Sequence, residues 1–257
     1  MLVSLGVLLV AALVVGFVTS ALRTWIDRVF FVIILLTLGH LPIREAIALN
    51  LLVLFLAAVS HGLVRREGWL WGAFARFSSW EGWAALLSGL LGGVLGRYYG
   101  IMLPAKVLLF LLGLYAIAMA LRLVLVKPAE GRPTPEHPGW IVPIAFGAGT
   151  LTGLVSAGGK PFAIPLYNWA LGHRLPVAYA IATFGTIGAA LGAVLAHQAL
   201  KGYSGAEVLT ALYAWAGISI VAWLTDRVWS PKLMKITALL VALVLFLVGL
   251  KFVVAAF

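Results

Sequence analysis

Cysteine is missing from this sequence, so disulfides, thiolate chemistry and sulfur-ligated metals are excluded and the redox compartment is unreadable. Charge is almost as scarce: 10% of residues are charged, against about 25% in ordinary soluble domains. The five histidines show no metal-ligand spacing such as H-x-x-x-H. The serine in "GLVSA" lacks the G-x-S-x-G spacing that exposes a nucleophile. No metal, no cofactor and no enzyme activity is therefore expected; an intramembrane enzyme is the weakest of the functional readings.

What fills the chain instead is apolar. It is 63% hydrophobic with a mean hydropathy of +1.11, and apolar runs recur along its whole length. About 20 residues span a bilayer as a helix, so no stretch remains for a soluble domain of useful size. The fold class is all-α, polytopic and membrane-embedded. Breakers divide the runs into segments at roughly 2–22, 28–39, 43–63, 81–99 and 103–125, then 140–157, 161–172, 177–199, 206–224 and 233–255. The run from Met1 to Val18 has no basic n-region and reads as a retained helix. The net charge of +10 comes from basic residues at the ends of runs, which cytosolic-loop bias explains without nucleic acid. Trp25, Trp69, Trp71, Trp80, Trp140 and Trp229 sit near run ends, as interfacial belts require.

The segments form two sets of five. Between them lies "KPAEGRPTPEHPG", residues 127–139, whose prolines, glycines and charges read as a connector. "LGHLPIREAIA" from Leu38 and "LGHRLPVAYAIA" from Leu171 share LGH, LP and AIA. The chain thus divides into a first repeat at 1–126 and a second at 140–257. If all ten segments cross, Arg44, Arg97, Lys106, Lys160, Lys201 and Lys251 fall on one side and the other twelve Lys and Arg residues on the opposite one. If the short second segment of each repeat does not cross, that bias nearly disappears. An odd number of passages per repeat is the better fit to the positive-inside rule. It inverts one repeat relative to the other, and it places both termini of this inner (plasma) membrane protein away from the cytoplasm.

Inverted repeats with a broken helix in each half are the plan of secondary transporters, whose substrate sits near the bilayer midplane. The break is visible at Gly153–Pro165, "GLVSAGGKPFAIP". Gly158 and Gly159 permit positive φ and close backbone approach, Pro161 suits a helix start, and the N–H groups beside Lys160 make an anion cradle. In the first repeat "TSALRTWIDR" supplies charge instead, with Arg23, Thr24 and Arg28 as substrate contacts and Asp27 as charge balance; the alternative is that Arg23 and Arg28 mark a cytosolic loop and Lys160 a loop end. Asn50, Ser156 and Thr183 complete the expected binding set; Asn50, Thr183 and Thr186 read equally well as packing glue between helices. His61 and His197 are candidates for coupling or charge balance, although their places near segment ends favour an interfacial role. The glycine ladders "LSGLLGGVLG" and "TFGTIGAALGA" are close-packing faces.

These features together resemble the sulfite and organosulfonate exporter family, the TauE/SafE or TSUP permeases. Gly149–Thr183 fits the family outline closely: a small-residue entry helix, a Gly-rich loop, a short apolar segment begun near a proline, then a helix start ending in A-x-A/G-T. The first copy fits from Leu38 onward, and "RTWIDR" replaces the family's glycine cluster. The resemblance implies secondary transport of small sulfur-containing anions such as sulfite, sulfoacetate and other organosulfonates, or thiosulfate. Outward movement by alternating access, coupled to protons, is the expectation; an anion channel or an uptake permease for another small anion is the alternative. The expected partners are the anion and the lipid bilayer, with a homo-oligomer left open.

Overall fold

The computed structural model describes residues 3–22, 29–64, 80–126 and 137–257, and of 61–64 only the backbone. Among them are ten α-helices, two single 3-10 turns and no strand. The helices are α1 (Leu5–Leu22), α2 (Val29–Thr37), α3 (Ile43–Val64), α4 (Trp80–Met102) and α5 (Ala105–Leu125). They continue with α6 (Ile141–Val155), α7 (Lys160–Trp169), α8 (Leu175–Leu200), α9 (Gly205–Thr225) and α10 (Pro231–Ala255). Every segment expected from the apolar runs is a helix. Starts follow the expected signals: proline opens α8 and α10, and Ser204 with Glu207 forms a reciprocal capping box on α9.

Seven of the helices, among them α1, α3, α5 and α10, are long and apolar enough to cross a membrane. Of the other three, α4 is long but is not among the seven, while α2 and α7 are too short, since nine and ten residues rise only about 15 Å against a hydrocarbon core of about 30 Å. Both are nevertheless interior. Val29–Leu35 of α2 are all buried, as are Lys160, Pro161 and Tyr167 of α7.

Packing follows a pattern that recurs five elements later. Helix α4 packs on α6 and α8; helix α9 packs on α1 and α3; α5 pairs with α10, and α3 with α8. Direction can be read from the residues that meet. Gly89 of α4 lies against Gly185 of α8, and Gly93 against Ala189, so these two helices run parallel. On the other side, Tyr203 Oη donates to the Ala48 carbonyl and Trp215 Nε1 to Ser60 Oγ, so α9 runs parallel to α3. Helices α5 and α10 run antiparallel: Phe110 meets Phe257, while Gly249 lies against Gly113 and Ile117.

The duplicated LGH is one residue out of structural register. After α2 the N–H groups of Gly39 and Leu41 donate to the carbonyls of Ile34 and Leu35. After α7 those of Leu171 and His173 donate to Leu166 and Tyr167. His40, at φ 51°, therefore matches Gly172, at φ 73°. Glycine takes that left-handed conformation with no Cβ penalty, which histidine in the first copy does not escape.

Candidate functional site

The segment between α6 and α7 is held open by side chains from three other elements. Ser156 ends α6 in the left-handed region (φ 52°) and Gly158 follows at φ 79°. Asn50, fully buried on α3, donates through Nδ2 to the Ser156 carbonyl at 2.6 Å and lies 3.2 Å from its Oγ. Tyr115 on α5 donates its hydroxyl toward the carbonyls of Ala157 (2.8 Å) and Gly158 (2.6 Å). Thr152 of α6 accepts the N–H of Gly159 at 2.9 Å. Unwound backbone away from water needs such partners, because an orphan carbonyl or N–H there is costly.

Two expectations about the glycines change. Gly158 takes positive φ as foreseen, but Gly159 sits at φ −82° and caps α7 in a helical conformation. Its glycine is required by space: a Cβ would overlap the Ala148 backbone and methyl group. Its N–H is also committed to Thr152, so the cradle of open amides is smaller than expected.

Lys160 is buried, 4% exposed, in the first turn of α7, which removes the reading of it as a loop-end cation. Its ammonium donates to Thr183 Oγ1 at 2.7 Å and stands 3.5 Å from the centre of the Tyr179 ring. Tyr179 and Thr183 lie one turn apart on α8 and present one face to the cation. Beside the ammonium is a cavity of about 10 Å³, room for about one water. Thr152, Lys160, Tyr167 and Thr186 line it together with alanines and Gly185. The hydroxyls of Thr152 and Thr186 donate to carbonyls of their own helices. Tyr167 differs: it is fully buried, and its hydroxyl has no hydrogen-bond partner. Lys160, Ala163 and Tyr167 fall at i, i+3 and i+7 on α7, which puts the cation and the phenol on one stripe.

A family comparison bears on this constellation. The sulfite exporter TauE/SafE model matches residues 29–252. The chain belongs to the TauE/SafE family. It is thus a multi-pass membrane protein of a transporter family whose members are sulfite or related anion exporters. No curated protein and no solved structure matches the chain significantly.

Within this TauE/SafE chain the sequence-derived site residues part into three groups. Ser156, Gly158, Gly159, Lys160 and Thr183 gather at the α6–α7 break, and Asn50 joins them from α3. Arg23, Thr24, Asp27 and Arg28 lie outside the described residues, and so does the His61 side chain. His197 lies in the last turn of α8, near the segment end as foreseen, but is buried within the protein. It is 7% exposed, and Arg97 of α4 donates to its Nδ1 from Nε at 3.1 Å and from Nη2 at 2.7 Å. Arg97 itself, read as a segment-end charge, is 1% exposed because α4 runs on to Met102 beyond the foreseen end.

Sequence reasoning missed Arg97, Tyr115, Tyr167 and Tyr179. The available signals were a lone arginine behind the glycine ladder and a single tyrosine within the apolar run of α5. Nothing in the sequence distinguishes Tyr167 from an interfacial aromatic.

Proposed function

We propose that this chain moves a small sulfur-containing oxyanion across the plasma membrane by alternating access, with the anion held beside Lys160 at the start of α7. The observation that carries the reading is that a buried ammonium and a phenol whose hydroxyl has no partner line one small cavity. Both are donors. A sulfite, sulfonate or thiosulfate oxygen is an acceptor that satisfies the phenol and pairs with the cation, and the N-terminal dipole of α7 adds to the attraction. A sulfonate remains ionised at any physiological pH, cannot dissolve in hydrocarbon, and therefore needs such a site.

The cavity holds about one water, which is smaller than an SO3 group. Loading therefore requires α7 and the unwound segment to move relative to α6 and α8, a requirement that favours alternating access over an open channel. The recurrent pairing of elements five apart, with α5 and α10 antiparallel, supports two inverted repeats at 1–126 and 140–257, joined by 127–139. In that arrangement both termini face away from the cytoplasm. Export and proton coupling follow the family reading, and the substrate and the bilayer are the partners required.

Purified protein in sealed vesicles tests the proposal. Wild type is expected to accumulate labelled sulfite or methanesulfonate against its gradient when a proton gradient is imposed, and Lys160→Ala to lose most of that flux. Wild-type flux in Lys160→Ala would remove this site from the path, and strictly downhill flux would make the protein a channel.

A further inference from the structure

The buried pair of Arg97 and His197 takes no part in the cavity beside Lys160. Thr183, which receives the Lys160 ammonium, lies about 21 Å along α8 from His197. Arginine carries only donors, and two of its nitrogens converge on one atom, Nδ1 of His197. That atom must offer a lone pair, so the ring is neutral with its proton on Nε2. The third guanidinium nitrogen, Nη1, is buried and has no hydrogen-bond partner. The Arg97 backbone packs against Gly153, one turn before Ser156, and Asn50, bonded to Ser156, keeps an equally unused buried acceptor, Oδ1. Beside the end of α6, then, a guanidinium is tethered by one neutral ring while part of its donor capacity stays unspent.

We propose that His197 accepts the coupling proton of this transporter and that Arg97 is the positioning residue it releases, rendering oxyanion binding and protonation mutually favourable. The proposal rests on the oxyanion reading above. A proton arriving from water adds to the Nδ1 lone pair and forms an imidazolium with N–H at both ring nitrogens. Nδ1 then no longer accepts, both hydrogen bonds from Arg97 are lost, and two cations face one another with little water to screen them. The guanidinium turns from α8 toward the end of α6, and the added positive charge there favours an anion at the unwound segment. Reciprocally, a bound anion draws the proton onto His197.

The other ionisable groups around the pair are few. The Tyr203 ring lies on the imidazole, 4.4 Å between centres; burial pushes that phenol's pKa up, so it stays neutral through the histidine range. Lys201 and Glu207 bear on His197 from the turn after α8 and from α9, and Arg44 of α3 bears on Arg97. Helix α6 contributes no titratable side chain, and the lysine of α7 is committed at Thr183.

Calorimetric titration of the purified full-length protein with methanesulfonate, whose charge is constant between about pH 5 and 8, tests this when run in two buffers of different ionisation heat. Wild type is expected to take up a proton per anion bound, and its affinity to rise as pH falls, by at most about tenfold per unit for one linked proton. His197→Asn places an amide oxygen where Nδ1 stood and holds Arg97 at every pH; proton uptake and pH slope are expected to vanish while binding persists. His197→Gln serves the same end should the asparagine variant not fold. PH-independent binding without proton uptake in wild type, or an undiminished slope in either variant, overturns the coupling role and leaves the oxyanion site standing. No binding by wild type at any pH overturns both.

Discussion

Helices α4 and α9 hold corresponding places, five elements apart, yet they meet their neighbours by different means. Along α4 the contact is backbone on backbone: a Cβ on Gly89, Gly93 or Gly96 would overlap a carbonyl of α8 or α6, and Gly153, Gly188 and Gly192 return the contact. Along α9 side chains intervene. Gly217 leaves a Cβ 3.0 Å from the Ala12 methyl group, and Ser20 of α1 bonds both Thr225 (2.7 Å) and Trp229 (2.8 Å). Lipid offers helices no hydrophobic reason to associate, so small-residue contact and interhelical hydrogen bonds do that work. Backbone contact dominates around α4, where Arg97 and His197 add a hydrogen-bonded pair; side chains and hydrogen bonds dominate around α9, where Gly16 of α1 adds one close approach to the Ile218 carbonyl. Backbone contact holds α4 close to α6 and α8, and this is the bundle that buries Lys160, Tyr167, Arg97 and His197.

The sharpest way to break the comparison is steric. Gly93→Ala must push apart α4 and α8 at a carbonyl and is expected to destabilise the protein by about 1–3 kcal/mol, whereas Gly217→Ala on α9 meets one methyl group and is expected to lose well under about 1 kcal/mol. Thermal unfolding in detergent checks both, and equal losses would erase the distinction. Next in size, Lys160→Ala is expected to weaken oxyanion binding by about 1.5–3 kcal/mol, the range for a hydrogen bond to a charged group, read as a smaller ligand-induced thermal shift. Asn50→Leu orphans the Ser156 carbonyl and is expected to destabilise by about 1–3 kcal/mol and to slow transport. Its counterpart in the looser bundle, Ser20→Ala, is expected to lose only about 0.6 kcal/mol with flux unchanged. The smallest effect has two signs: Tyr167→Phe removes a hydroxyl that has no partner. The ligand-free protein is expected to hold or gain up to about 1 kcal/mol, while oxyanion affinity falls by about 1 kcal/mol.

Much of this was legible beforehand. Apolar runs and breakers located the ten helices of the described residues, because lipid solubility and helix caps are local properties of the chain. The break at Ser156–Lys160 was legible for the same reason: two glycines, a lysine and a proline have few other uses between apolar runs. The roles within the break were less so. Gly159 does not take the positive φ read for it but does make the close backbone approach, and that its neighbour is Ala148 depends on where α6 lies. Arg97 looked like the end of a span, since the sequence does not say that α4 continues three residues further and that His197 waits on α8. Tyr167 was invisible, because an aromatic on a short helix has the same letter whether its hydroxyl is solvated or stranded.

The sequence by itself determined that this chain dissolves in a bilayer as a set of helices, and that one break between apolar runs carries a lysine. Composition, periodicity and backbone freedom decide those matters within a few residues of each position. Only the tertiary structure decided which polar groups share an interior. Pairing Lys160 with Thr183, Asn50 with Ser156 and Arg97 with His197 joins residues between 23 and 106 positions apart. Those distances close only when glycine-faced helices come together.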